Sequence, residues 1–132
     1  MLVKHLLSRK GKNIQTVKPG VSVQNAARLM AKNNFGAIVI SSDGRKPEGI
    51  ISERDITRGI GKTGSDFLRY KVGDVCFHKV VTCTPSDDIY RVMNTMNKGR
   101  FRHMPVTNNG VLIGMISIVD ILREQMSKKE LA

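Results

Sequence analysis

Two pairs of residues in this sequence have the types and the spacing for small-molecule chemistry. Ser52 is followed three residues later by Asp55, and Ser117 by Asp120. A serine at a helix start with an acid three positions on forms a capping box, which accounts for both residues without any ligand. The same geometry has a second use. A strand running into a helix start leaves N–H groups and the positive end of a dipole, a seat for phosphate. The serine hydroxyl can donate to a phosphate oxygen, and the carboxylate one turn on can accept from both hydroxyls of a ribose through charge-assisted bonds. Spacing alone leaves both uses standing. A hydrolase built on Asp55 and Asp120 would need the two carboxylates to converge, whereas each sits beside its own helix start.

The pairs lie in two copies of one stretch. Gly49-Ile50-Ile51-Ser52-Glu53-Arg54-Asp55 recurs 65 residues on as Gly114-Met115-Ile116-Ser117-Ile118-Val119-Asp120. The surrounding residues repeat as well. Pro19 matches Pro85, Met30 matches Met96, Phe35 matches Phe101 and Gly44 matches Gly110, all 66 apart, so the only slip is one extra residue at Arg45-Lys46-Pro47. An insertion confined to a turn is where a structural repeat tolerates one.

The elements that must position these stretches follow from periodicity. Residues 1–13 predict a short helix from Val3 to Ser8, with Gly11 closing it. Ile14 to Val17 is extended and Lys18-Pro19-Gly20 breaks it. Ser22 is the expected N-cap of a helix whose apolar face is Val23, Ala26, Ala27 and Met30. Phe35 to Ile40 is a continuous apolar run, as in a strand buried on both faces. Ser41 to Gly44 turns it into a return strand, Glu48 to Ser52, and a helix follows with Ile56 and Ile60 on one side, ending near Gly59–Gly61. The second half replays this: an extended Val80 to Cys83, a cap at Ser86 or Asp87, a face of Ile89, Val92, Met93 and Met96, a strand from Phe101 to Val106, a turn at Asn108-Asn109-Gly110 and a return strand from Val111 to Ser117. The final helix should turn Ile121 and Leu122 inward. Each half reads β-α-β-β-α. The expected segments are a helical 1–13, repeats at 14–62 and 79–126, a linker at 63–78 and a polar tail at 127–132.

Composition bounds the function. The chain has 132 residues, 22 Lys and Arg against 11 Asp and Glu, and a formal net charge of +11. Such a field favours anionic partners. The basic residues are dispersed, and no zinc finger or RNP-like aromatic motif accompanies them. Attraction to small anions is therefore the more economical account, with nucleic-acid binding as the alternative. Cys76 and Cys83 lack ligand spacing and are read as two buried free thiols, which suits a cytoplasmic setting. The basic, acid-free start is also compatible with a mitochondrial presequence. No apolar run nears the roughly 18 residues that suggest a membrane span, so no membrane partner is expected. Arg100, Arg102 and His103 offer phosphate neutralisation. His103 lacks the neighbouring nucleophile and orienting acid that a catalytic base needs.

Taken together, the two G-h-h-S-x-x-D stretches, the Pro19 and Pro85 breaks, and Arg100-Phe101-Arg102-His103-Met104-Pro105-Val106 resemble the CBS domain family, as a tandem pair (a Bateman module), over residues 10–125. The resemblance implies an α/β (α+β) fold of two β-α-β-β-α repeats packed by pseudo-twofold symmetry through their sheets. It implies clefts between the repeats for an adenine nucleotide (AMP, ADP, ATP or NAD(H)), with no catalytic cofactor, no metal and no enzymatic activity. The ligand-binding positions it suggests are Thr16, Val17, Gly36, Ala37, Ser52, Arg54 and Asp55 in the first half. In the second half they are Val81, Thr82, Arg102, His103, Met104, Pro105, Ser117 and Asp120. It also implies a homodimer, a disc of four CBS units, and a separate effector protein that receives the signal. The sequence departs from the family in carrying Ser52 and Ser117 where Thr is frequent, and Asp74-Val75-Cys76 where many members read Asp-Val-Met. Arg102 and His103 face Gly36 and Ala37 in the alignment of the halves, so the two sites should differ.

Overall fold

A computed structural model describes the backbone of residues 1–11 and 14–131 and the side chains through residue 127 of those residues. The fold is mixed α+β and divides into two compact units. Gln15–Val80 forms the first, and Met1–Ile14 with Val81–Ala132 forms the second.

In the first unit, β1 (Thr16–Val17) runs parallel to β2 (Ala37–Ile40), and β2 pairs antiparallel with β3 (Gly49–Ser52). The central strand β2 is buried at every position, which is why its sequence does not alternate. Helix α2 (Val23–Asn33) joins β1 to β2, and the Ser22 hydroxyl caps it by accepting from the Asn25 N–H at 3.1 Å. Helix α3 (Glu53–Thr63) follows β3 directly and runs past Gly59 and Gly61, where the sequence places its end. Glycine inside a helix costs about 1 kcal/mol against alanine. Packing overrides that cost at Gly59, where an added Cβ would lie 2.2 Å from the Phe67 ring. Beyond α3 come a 3₁₀ turn (Ser65–Arg69) and α4 (Val72–Val75). Phe67, Val72 and Cys76 are buried together with Val23, Met30, Ile38 and Ile51. Residues 65–76, within the stretch expected as a linker, thus complete the first unit's core.

The second unit holds α5 (Ile89–Gly99), the hairpin β4 (His103–Asn108) and β5 (Val111–Ser117), and α6 (Ile118–Leu131). The counterpart of β1 is reduced to one parallel bridge between Cys83 and Val106. Strand β4 starts at His103, two residues later than expected, because Phe101 folds back over Gly99. The cap of α5 is Asp88, not Ser86 or Asp87. Its carboxylate accepts from the Tyr90 N–H at 2.8 Å, while that of Asp87 accepts from the Thr84 N–H and shapes the turn before the helix. Helix α6 continues to Leu131, through most of the segment read as a tail, and Ala132 lies outside the described residues, as do Lys12 and Asn13 of the segment 1–13. Leu122 is 45% exposed, contrary to expectation. The core-facing positions are Ile121 and Glu124, and Arg9 at the end of α1 (Val3–Lys10) forms an ion pair with Glu124 on that side.

The repeat is visible in the backbone. Both α2 and α5 end on a left-handed residue, Asn34 (φ 56°) and Arg100 (φ 57°), whose N–H groups cap the carbonyls of Met30 and Met96. Asparagine suits that conformation and arginine does not. Arg100→Gly is expected to stabilise the protein by about 0.5–1 kcal/mol, read as a rise in thermal midpoint, whereas Asn34→Gly should change it little.

The repeat also extends further than the motifs suggest. In the first unit Val23 N–H donates to Tyr70 C=O, Val72 N–H to Val21 C=O and Gly73 N–H to Pro19 C=O. In the second, Ile89 N–H donates to Met1 C=O, Val3 N–H to Asp87 C=O and Lys4 N–H to Pro85 C=O. Helix α4 is therefore the counterpart of α1, with α4 packed in the first unit and α1 in the second. This explains the motif glycine. An added Cβ at Gly49 would lie 2.5 Å from Cys76 Sγ, and one at Gly114 would lie 2.8 Å from Leu7 Cδ2. Gly49→Ala should cost about 1–3 kcal/mol through overpacking. The double variant Gly49→Ala/Cys76→Ala should recover part of it, a coupling that a double-mutant cycle in urea measures.

Candidate functional site

Each Ser-x-x-Asp pair sits where the return strand becomes a helix. Ser52 Oγ accepts from the Asp55 N–H at 3.1 Å and Asp55 Oδ2 from the Ser52 N–H at 2.8 Å. Ser117 and Asp120 make the same two bonds at 3.1 and 2.8 Å. Both pairs are thus closed capping boxes. The first helical N–H is used as well: Glu53 N–H donates to Gly36 C=O and Ile118 N–H to Arg102 C=O, each at 2.9 Å. Three N–H groups at each helix start therefore have protein acceptors already. What each corner keeps is a half-buried serine and a half-buried carboxylate.

The corners differ in what surrounds the carboxylate. Lys10, the last residue of α1, places its ammonium 2.6 Å from Asp120 Oδ2 and 2.7 Å from the Met115 carbonyl. Burial opposes ionisation of Asp120, yet the Lys10 ammonium and the Ser117 N–H outweigh it and hold the carboxyl below its ordinary value. Asp55 forms no ion pair among the described residues. At the carbonyl equivalent to Met115, that of Ile50, the donor is the Phe77 backbone N–H at 3.0 Å. Nothing local marked Lys10 in the sequence, because it meets Asp120 across 110 residues.

The structure brings Gly36, Ala37, Ser52, Arg54 and Asp55 to one corner, with Ala37 directly opposite Ser52 on the β2–β3 ladder and Arg54 exposed. It brings Arg102, His103, Ser117 and Asp120 to the other, with His103 opposite Ser117. Thr16 lies further along, opposite Val39 and near the Gly44 turn. Val17, Ala37, Met104 and Pro105 are buried, and the side chains of Val17 and Met104 belong to the cores of their units. Val81, Thr82 and Met104 line a small depression of about 160 Å³ beside α5, below the range typical of ligand pockets. A larger groove of about 440 Å³ runs between α2 and α3 past Ala27, Asn34, Phe35, Gly36 and Thr57, and of the expected binding positions only Gly36 borders it.

Neither cysteine is poised for nucleophilic work. Both are free and buried. Burial, reinforced by Asp87, pushes the Cys83 thiol up to about 12, and burial also raises Cys76. A thiol needs a lowered value to react at neutral pH. Among the described residues no three His, Cys, Asp or Glu side chains group as metal ligands, and no helix is long and apolar enough to cross a membrane.

Two strand-to-helix corners of one design, on two units of one topology, define a tandem repeat module. The chain belongs to the CBS domain family, whose pattern matches residues 3–62 and 72–127. Both matches begin at the leading helices α1 and α4. The chain is 38% identical over 106 residues to the mitochondrial CBS domain-containing protein CBSX3 of Arabidopsis thaliana, covering 77% of this chain but only 52% of that protein. Among solved structures, the CBS-domain protein ATU1752 from Agrobacterium tumefaciens superposes with a TM-score of 0.90 at 37% identity, covering 95% of this chain and 99% of that one. Two more distant structures share the fold. The CBS pair of MJ0100, solved with 5-methylthioadenosine and S-adenosylmethionine, gives a TM-score of 0.86 at 23% identity, with 97% and 98% coverage. PAE2072 from Pyrobaculum aerophilum, complexed with AMP, gives 0.81 at 24% identity, with 96% and 99% coverage.

Proposed function

We propose that this chain is a non-catalytic regulatory module that binds an adenosine-containing ligand and signals to a separate effector protein. The observation that carries the reading is the duplicated serine–aspartate corner, a carboxylate held in place by its own backbone and able to accept from a ribose diol. CBS pairs of this fold bind AMP, 5-methylthioadenosine and S-adenosylmethionine. These share the adenosine and not the phosphate, so adenosine recognition is the common element. AMP, ADP, ATP and NAD(H) all fit that class. The ligand acts by its differential affinity for two states of the module. A homodimer is part of the proposal, supported by the exposed apolar stripe Val119, Leu122 and Met126 along α6. Sedimentation of the protein and of a Leu122→Glu variant reads it, the variant being expected to sediment as a monomer.

Calorimetric titration of ligand-stripped protein with AMP, ATP, NAD(H) and S-adenosylmethionine tests the central reading, repeated on Asp55→Ala and Asp120→Ala variants verified as folded by circular dichroism. At least one compound should bind, and at least one variant should lose about tenfold in affinity or more. Binding of none of the compounds sinks the sensor reading. Binding untouched by either substitution sinks the assignment to the corners.

A further inference from the structure

We propose that Lys10 makes the Ser117–Asp120 corner selective for a phosphorylated nucleoside over the nucleoside itself. This rests on the corners being adenosine-ligand sites and adds which ligands the second unit's corner takes.

The two corners supply an internal comparison. At the Ile50 carbonyl of the first unit the covering donor is a neutral backbone N–H, that of Phe77. At the equivalent Met115 carbonyl it is the Lys10 ammonium, which also reaches Asp120 Oδ2. The difference arises from the leading helices. Helix α4 stops at Val75, whereas α1 continues to Lys10 and projects that side chain onto the corner. Lys79, the residue 69 positions beyond Lys10, forms no ion pair among the described residues.

The consequence is a change in the chemistry of recognition. A ribose diol at Asp120 must share a carboxylate whose Oδ2 already accepts from Ser117 and Lys10. An uncharged nucleoside offers the displaced ammonium nothing in exchange. A phosphate does. An ammonium has three donors, and Lys10 spends two on protein acceptors among the described residues while its side chain stays 35% exposed. The third donor, or the one released from Asp120, can pair with a phosphate oxygen. Arg102, exposed and with its carbonyl on the first N–H of α6, adds positive charge to the same corner. Among the described residues the Asp55 corner has no ammonium in this position, so phosphate should gain less there.

The methyl group of Met115 reports on the second unit's corner, and the δ-methyl of Ile50 on the equivalent place in the first. Titrating methyl-labelled full-length protein with AMP and with adenosine, observed by NMR, therefore reads each corner separately. In the unmodified protein the Met115 signal should report AMP binding at least about tenfold tighter than adenosine. Lys10→Met should reduce that preference about tenfold, chiefly by weakening AMP, and leave the preference read at Ile50 unchanged. Lys10→Arg should keep most of the preference, which separates charge from a packing change in α1. An AMP-to-adenosine ratio at Met115 that is the same with and without Lys10 overturns the selectivity proposal alone. Failure of both ligands to move either signal in the unmodified protein overturns the selectivity proposal, and the sensor reading then rests on the calorimetric titration with ATP, NAD(H) and S-adenosylmethionine.

Discussion

Replacing Ile51 or Ile116 by alanine is expected to cost about 2–5 kcal/mol of stability. The same change at Ile50, or Met115→Ala, should cost clearly less. The four residues are the two aliphatic positions of the duplicated Gly-h-h-Ser stretch, and sequence treats them alike. The strand does not. Successive side chains of a strand point to opposite faces, and β3 and β5 alternate accordingly, with Ile51 and Ile116 at 0% exposure and Ile50 and Met115 half-buried. Ile51 lies opposite Ile38 and Ile116 opposite Met104, both themselves buried. Truncation there leaves a cavity that two paired strands cannot close. At Ile50 or Met115 solvent and neighbouring side chains relax into the gap. Urea unfolding reads the difference as a fall in midpoint of about 1 M or more at the inner positions with little change in slope. Equal losses at inner and outer positions would contradict the alternation.

That alternation shows what was legible beforehand. Much of what is encoded in the spacing of near neighbours could be read: the apolar faces of α2 and α5, the two hairpins, the Ser22 cap, and the capping-box form of both serine–aspartate pairs. These depend on spacing along the chain, and duplication supplied a second copy to check against. Most of the unread parts depend on contacts between elements rather than on spacing within one, and the Asp88 cap of α5 is the local exception. Gly59 looked like a helix end because its reason for being glycine is Phe67, which belongs to a segment taken for a linker. The kinship of α1 and α4 was hidden because the offset there is 69 rather than 66, and the signal that could have revealed it is faint: Val3, Leu6, Leu7 and Lys10 against Val72, Val75, Cys76 and Lys79. Leu122 was placed inward from its neighbour Ile121, and the ion pairs of Arg9 with Glu124 and of Lys10 with Asp120 show which side of α6 faces α1. The inequality of the two corners was anticipated from Arg102 and His103. The residue that most changes the second carboxylate's surroundings is Lys10, from the far end of the chain.

Lys10 also makes the two aspartates unequal in stability, and the pH dependence of that inequality has a definite sign. Asp120→Asn retains an oxygen that can accept from the Ser117 N–H but loses the charge that faces Lys10. At neutral pH it should cost about 1–2 kcal/mol, and Asp55→Asn, which gives up no ion pair, about half as much or less. The Asp120 carboxyl titrates below its ordinary 3.8 in the folded protein. Its unfolded value is about 3.9. A carboxyl depressed by folding binds its proton more readily in the unfolded chain, so its contribution is fully present above the unfolded value and is lost as pH falls through the folded one. The gap between the unmodified protein and Asp120→Asn should therefore stay level from neutral pH down to about 5 and close below about 4. Lys10→Met should raise the folded-state value of Asp120, so that this carboxyl's share of the stability is smaller at neutral pH and is lost sooner on acidification. Urea midpoints measured from pH 3 to 7, with the carboxyl carbon of Asp120 followed by NMR, test both halves of the argument. A gap that widens on acidification, or an Asp120 titration unmoved by removing Lys10, would mean that the ammonium is not what holds this carboxylate ionised.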